Sequence, residues 1–138
     1  MHCKVSCLAM AIRTIPPPAE PADKWEVQLR KGCLELAILA ALWSERLYGL
    51  QIMRQLADGS GLNVPEGTVY PLLSRLKNEG LLSSEWVEAD AGHPRKYYRL
   101  TAAGRRRVIE MARFWESFSA SLDHLLAPVR KAADKEER

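Results

Sequence analysis

The chain has 138 residues, 47% of them hydrophobic and 27% charged, which is ordinary for a globular protein and enough for one domain with appendages. No run approaches the length of a membrane span, so a membrane partner is not expected. Three cysteines, Cys3, Cys7 and Cys33, leave one unpaired in any disulfide scheme and favour a reducing, cytoplasmic location.

Residues 1–24 read as a disordered tail: Pro16, Pro17, Pro18 and Pro21 forbid a helix, and no alternation replaces it with a strand. Met10 is an alternative start. His2, Cys3 and Cys7 offer no second ligand pair at a recognised spacing, so no metal site is assigned. From residue 25 to 43 the pattern turns helical, with Leu29, Cys33, Leu36 and Trp43 recurring at helical steps and Leu34, Ile38 and Leu42 widening the stripe. So broad an apolar face belongs in a core, one that a second subunit could share. A second helix is predicted over 47–57, on Leu50, Met53, Leu56 and Ala57, with Gly59 as its left-handed cap.

The third helix carries the most information. Two starts are open: Pro65 suits a first helical position, whereas Thr68 as N-cap would put Pro71 in the first turn, where no N–H is needed. A start at Pro65 would make Pro71 bend the helix or loosen one bond. Val69, Leu72, Leu73 and Leu76 form its buried stripe, and Gly80 stops it. Two strand-like runs follow. Leu82 and Trp86 share one face of the first. After a turn at Asp90, Ala91 and Gly92, the second sets Tyr98 and Leu100 against Arg95, Tyr97 and Arg99.

Thr101 can cap a last helix expected to end at Ala127, before Pro128, leaving 128–138 as a charged tail. Along it Val108, Met111, Trp115, Phe118, Leu122 and Leu125 fall at alternating three- and four-residue steps, an a/d seam for pairing two copies. The competing reading is an intramolecular core helix. Charge is also local: residues 91–109 hold Arg95, Lys96, Arg99, Arg105, Arg106 and Arg107 and no acid, although the net charge is only +3. Such a patch fits an anionic partner, nucleic acid first, or else is a solvated basic face.

Helices, then a hairpin with a basic arm, then a long seam, define a mainly α (α+β) winged helix-turn-helix with a two-stranded wing and a C-terminal dimerisation helix. The corresponding parts are 25–101 for DNA binding and 102–127 for dimerisation. The segments GCLELAILAALWSERLYGLQI, PEGTVYPLLSRLKNEGLL and GHPRKYYRLTAAGRR resemble the PadR family of bacterial transcriptional regulators. The most specific are Gly67 to Pro71 and Arg95 to Thr101.

That resemblance implies a homodimer, usually a repressor, on a palindromic double-stranded DNA operator. Carried onto this chain, Thr68, Tyr70, Ser74 and Lys77 would face DNA from the recognition helix, and Arg95 and Lys96 from the wing. His93 falls where the family varies, so no role is carried over. Tyr70 could instead only satisfy a nearby backbone group. Some relatives bind flat aromatic compounds between subunits, and Trp43, Trp115 and Phe118 are the residues here that could line such a pocket, although aromatics on helical seams are more often packing. No cofactor is implied.

His2, His93 and His124 lie in unrelated segments with no nucleophile or carboxylate pair spaced around them, so an enzyme is not expected. The alternative function is a winged helix used for protein–protein contact without DNA binding.

Overall fold

The computed structural model describes residues 23–58, 61–88 and 92–137; residues 1–22 of the predicted tail, with His2, Cys3 and Cys7, and Gly59 lie outside them, whereas Lys24, assigned to the tail, already belongs to the first helix. Helix α1, Lys24–Ala41, starts where the Asp23 carboxylate accepts hydrogen bonds from the Trp25 and Glu26 amides at 2.8 and 3.4 Å. An acceptor there satisfies amides that have no partner within the helix. Leu34, Ile38 and Leu39 turn inward from it.

The second helix begins later than the sequence suggests. Leu47–Tyr48 is a short strand, β1, paired antiparallel with Tyr98 and Tyr97, and helix α2 occupies Gly49–Ala57. A two-residue strand has no period of its own to display. It forms because β3 offers it a free edge. The Gln51 side chain accepts from the Tyr48 amide at 3.1 Å where strand becomes helix.

Helix α3, Glu66–Asn78, starts directly after Pro65, which settles the choice of start and leaves Pro71 inside the helix. Without an N–H, Pro71 cannot bond the Gly67 carbonyl. Both residues are exposed, so water can reach that carbonyl. Gly80, at φ +82°, closes the helix: its amide donates to Lys77 and the Leu81 amide to Leu76, each at 3.0 Å. This is the paired-bond stop that a left-handed residue permits.

Strands β2, Leu82–Val87, and β3, Arg95–Leu100, form the wing in a register running from Leu82 opposite Leu100 to Val87 opposite Arg95. The sheet has three strands, ordered β1-β3-β2, where two were predicted. Leu47, Leu82, Tyr98 and Leu100 close one side of a core built from Leu34, Ile38, Leu39, Leu42, Ile52, Leu56, Val69, Leu73 and Leu76. Tyr97 is half-buried against Tyr48 rather than exposed.

Helix α4 spans Ala102–Glu136, and the expected stop at Pro128 does not occur. Val129 to Glu136 is rich in Ala, Lys, Arg and Glu, strong helix formers that outlast the one lost bond. No helix of the described residues is long and apolar enough to cross a membrane. Val108 is buried in the core and Met111 packs against it, so Val108, expected in the dimerisation seam, is used within the chain. Beyond it, Trp115, Phe118, Leu122 and Leu125 are exposed, Leu125 by 70%.

Thr101 joins these parts. Its hydroxyl donates to the Gly80 carbonyl at 2.7 Å and accepts from the Gly104 amide at 3.0 Å, while its own amide donates to the Leu81 carbonyl at 3.1 Å. Gly104 lies so close to that carbonyl that a Cβ would collide with it. Gly104→Ala should therefore destabilise the fold by about 1–3 kcal/mol, read as a lower midpoint in thermal unfolding; an unchanged midpoint would mean the junction is loose.

Candidate nucleic-acid interface

Burial of Val69, Leu73 and Leu76 fixes which side of α3 faces outward. Tyr70, Ser74 and Lys77, spaced by four and three residues, form one exposed strip. Thr68 does not share it. It is half-buried on the other flank, in a hollow with Lys31, Leu34, Pro71, Leu72 and Arg75. Arg75 is tied down there, donating to Glu35 of α1 at 3.0 Å and to Glu79 at 2.7 Å. Those two carboxylates push its pKa further up.

Tyr70 is held by a glycine that the sequence reading overlooked. Its ring lies over Gly49, the first residue of α2, where any Cβ would strike it. Only the close approach, invisible in one dimension, shows why a glycine stands there. Tyr98 lies alongside; burial, and secondly Tyr70, raises its phenol pKa, so it is a neutral hydroxyl at ordinary pH.

The wing has two different faces. On the outer face the Arg95 guanidinium sits 4.6 Å from the Tyr48 ring centre, Tyr48 meets Tyr97 edge-on at 5.4 Å, and Arg46 covers Tyr97 at 4.7 Å. Arg46 and Arg99 both donate to Glu85, at 2.6 and 2.9 Å. Arg99 is thus engaged with the wing's own acid. On the inner face Lys96 lies 5.8 Å from the Trp86 ring and 5.7 Å from that of Tyr98. The hollow between α3 and the wing brings together Tyr70, Lys96 and Trp86, Arg95 reaches it from the outer face beside Tyr48, and no carboxylate lines it.

The other cations of the basic stretch divide similarly. Arg105 covers the Trp43 ring at 4.5 Å and donates to the Trp43 carbonyl at 3.1 Å. Arg107 pairs with Glu110. Lys77 has no ion pair among the described residues. His93 is exposed beside Pro94.

Within one chain, the three aromatic residues that could line an effector site between subunits fall in two separate hollows. Trp115 and Phe118, with ring centres 6.2 Å apart, line a groove with Leu29, Cys33, Leu36 and Met111. Trp43 lies in a separate shallow hollow with Ala40, Val108, Ile109 and Ala112. Helical spacing showed that all three were aromatic, but not that Arg105 would cover one.

Three helices with an antiparallel hairpin, and a basic cleft between α3 and the wing, define a winged helix-turn-helix fold, an architecture that many DNA-binding proteins share. Residues 38–110 match the Transcriptional regulator PadR-like family. The chain is 44% identical to a PadR-like transcription factor from Bacteroides fragilis, covering 75% of this chain and 99% of that one with a TM-score of 0.61. A PadR-like transcriptional regulator from Bacillus cereus is 33% identical, with 72% and 96% covered and a TM-score of 0.66. A transcriptional regulator of Mycobacterium tuberculosis is 34% identical over 92 residues, which span 67% of this chain and 84% of the relative. The chain belongs to the PadR-like family, whose members are regulators of transcription rather than enzymes.

The wing's base carries an acid-sensitive contact. Hydrogen bonds from Arg46 first and Arg99 second favour ionised Glu85 and lower its pKa. A lowered folded value means this contribution is present above the ordinary carboxylate range and is lost as pH falls through the folded value. Protection factors of the Ser84 and Arg99 amides, taken relative to the intrinsic exchange rate at each pH, should therefore fall on acidification, and Glu85→Gln should show the lower protection already at neutral pH. Equal exchange in parent and variant at neutral pH would remove Glu85 from this role.

Proposed function

We propose that the protein is a homodimeric repressor that reads a palindromic operator in double-stranded DNA. The observation that carries the DNA-facing part is the cleft: Tyr70, Arg95 and Lys96 converge without a carboxylate between the recognition helix and the wing. In this reading Tyr70 and Ser74 reach base edges in the major groove, and Lys77 and Lys96 pair with phosphates. Arg95, at the turn end of β3, suits the narrow minor groove, where negative potential is strongest. Thr68, on the far flank of α3, serves the opposite backbone wall beside Lys31. Residues 25–101 form the reading unit.

The exposed seam supports pairing. Trp115, Phe118, Leu122 and Leu125 continue along α4 past the end of the core, and Leu29 of α1 borders the same groove. A second copy of α4 would cover them, and two reading heads would then stand roughly 34 Å apart, one turn of DNA. The groove beside Trp115 and Phe118 offers an apolar aromatic effector a place between the copies.

Two measurements test this. Lys77→Ala and Arg95→Ala should each weaken binding to the protein's own upstream DNA by about fivefold to a hundredfold while leaving thermal unfolding unchanged. Unaltered affinity in both would displace the DNA face from this cleft. Trp115→Glu together with Leu122→Glu should give a monomer in sedimentation; a persistent dimer would put the interface elsewhere.

A further inference from the structure

Trp86 has no role in the account above, and its position is unusual. It sits on the same pleat face as Leu82, opposite Lys96 in the register, one pair before the last of the hairpin. Its neighbours on that face, Leu82, Tyr98 and Leu100, are buried, yet Trp86 is 67% exposed because the face runs past the end of the core. The ring does not leave the domain surface altogether. It forms one wall of the hollow between α3 and the wing, across from Tyr70 and Gly49 and beside Arg95 and Lys96. The apolar groove of α1 and α4 is lined by other residues, so pairing two copies there leaves Trp86 uncovered.

A large indole left in water beside two cations suits a ligand that is apolar and anionic within a few ångströms. The sugar-phosphate strand of a duplex has this character, with C–H faces of deoxyribose alternating with phosphates. We propose that Trp86 is a direct DNA contact: its ring packs on a deoxyribose of the strand between the grooves, while Lys96 takes the flanking phosphate and Arg95 reaches on into the minor groove. The inference rests on the DNA-binding reading and adds a contact that carries no charge. Lys96, over the indole, orders the plate before binding. The Gly49 notch lets Tyr70 lie flat on the opposite wall.

An uncharged contact has a signature that separates it from its neighbours. Affinity for DNA falls with salt in proportion to the phosphates neutralised, at about 0.9 in log–log slope for each one. The test is anisotropy titration of a fluorescein-labelled duplex of about 30 base pairs from the protein's own upstream region, at several salt concentrations. Trp86→Ala should weaken binding by about tenfold with the slope unchanged, and Trp86→Phe should restore most of the loss. Lys96→Ala should lower the slope by about one.

Full affinity in Trp86→Ala overturns the contact. A loss accompanied by the same slope change as Lys96→Ala also overturns it, because Trp86 would then act only by holding Lys96. Absence of salt-dependent binding by the parent chain would overturn the DNA reading itself, and the contact with it. Thermal unfolding of both Trp86 variants should match the parent, as exposure of the ring requires.

Discussion

The arrangement depends on a single threonine. Thr101 ends the wing, caps α4, and fastens both to the carbonyl at the stop of α3 through one hydroxyl that donates to Gly80 and accepts from Gly104. Three elements with separate tasks therefore leave one point: the helix that walls one side of the cleft, the strand that carries Arg95 and Lys96, and the helix that carries the apolar seam. A cap to Ala ordinarily costs about 1 kcal/mol. Here the larger consequence is directional, because the same oxygen sets the angle between helix and wing. Gly104 serves that angle by letting α4 start against the Leu81 carbonyl.

The cations show how a patch in the sequence becomes a smaller patch in space. Six basic side chains occupy residues 91–109 without an acid between them. Folding engages three of them: Arg99 with Glu85, Arg105 with Trp43, and Arg107 with Glu110. These are exposed contacts of small individual worth. Their effect is to hold charge on the wing's outer side and along α4. Arg95 and Lys96 line the cleft, supported by aromatic rings rather than carboxylates, so their charge is not cancelled where they sit.

The elements with a strong period were legible in the sequence. Leu34, Ile38, Leu73 and Leu76 repeat often enough to place α1 and α3, and Gly80 marks a stop whose left-handed backbone the structure shows. Strand β1 was not legible, because two residues carry no alternation and pairing with Tyr97 and Tyr98 is a tertiary event. The end of α4 was misread for the opposite reason: a local rule about Pro128 is weaker than the helix-forming residues beyond it. Within the site, helical spacing grouped Tyr70, Ser74 and Lys77. The same spacing sets Thr68 about 200° around the helix from Tyr70, although the resemblance grouped the two; it could not tell that Gly49 supports Tyr70, since that depends on how α2 crosses α3.

The length of α4 gives its anchor a mechanical meaning. Past Met111, the last of its residues packed on the core, the helix continues to Glu136 for roughly 38 Å. A rod of that length, clamped at one end, converts a turn of about 5° at the clamp into a displacement of about 3 Å at the far end. The gearing also runs backwards: a shift of several ångströms at the tip reaches the wing and α3 as only a few degrees. Leverage of this kind reduces large, imprecise movements to small, defined ones, and it does so because Gly104 holds the near end against backbone instead of against a side chain that could yield.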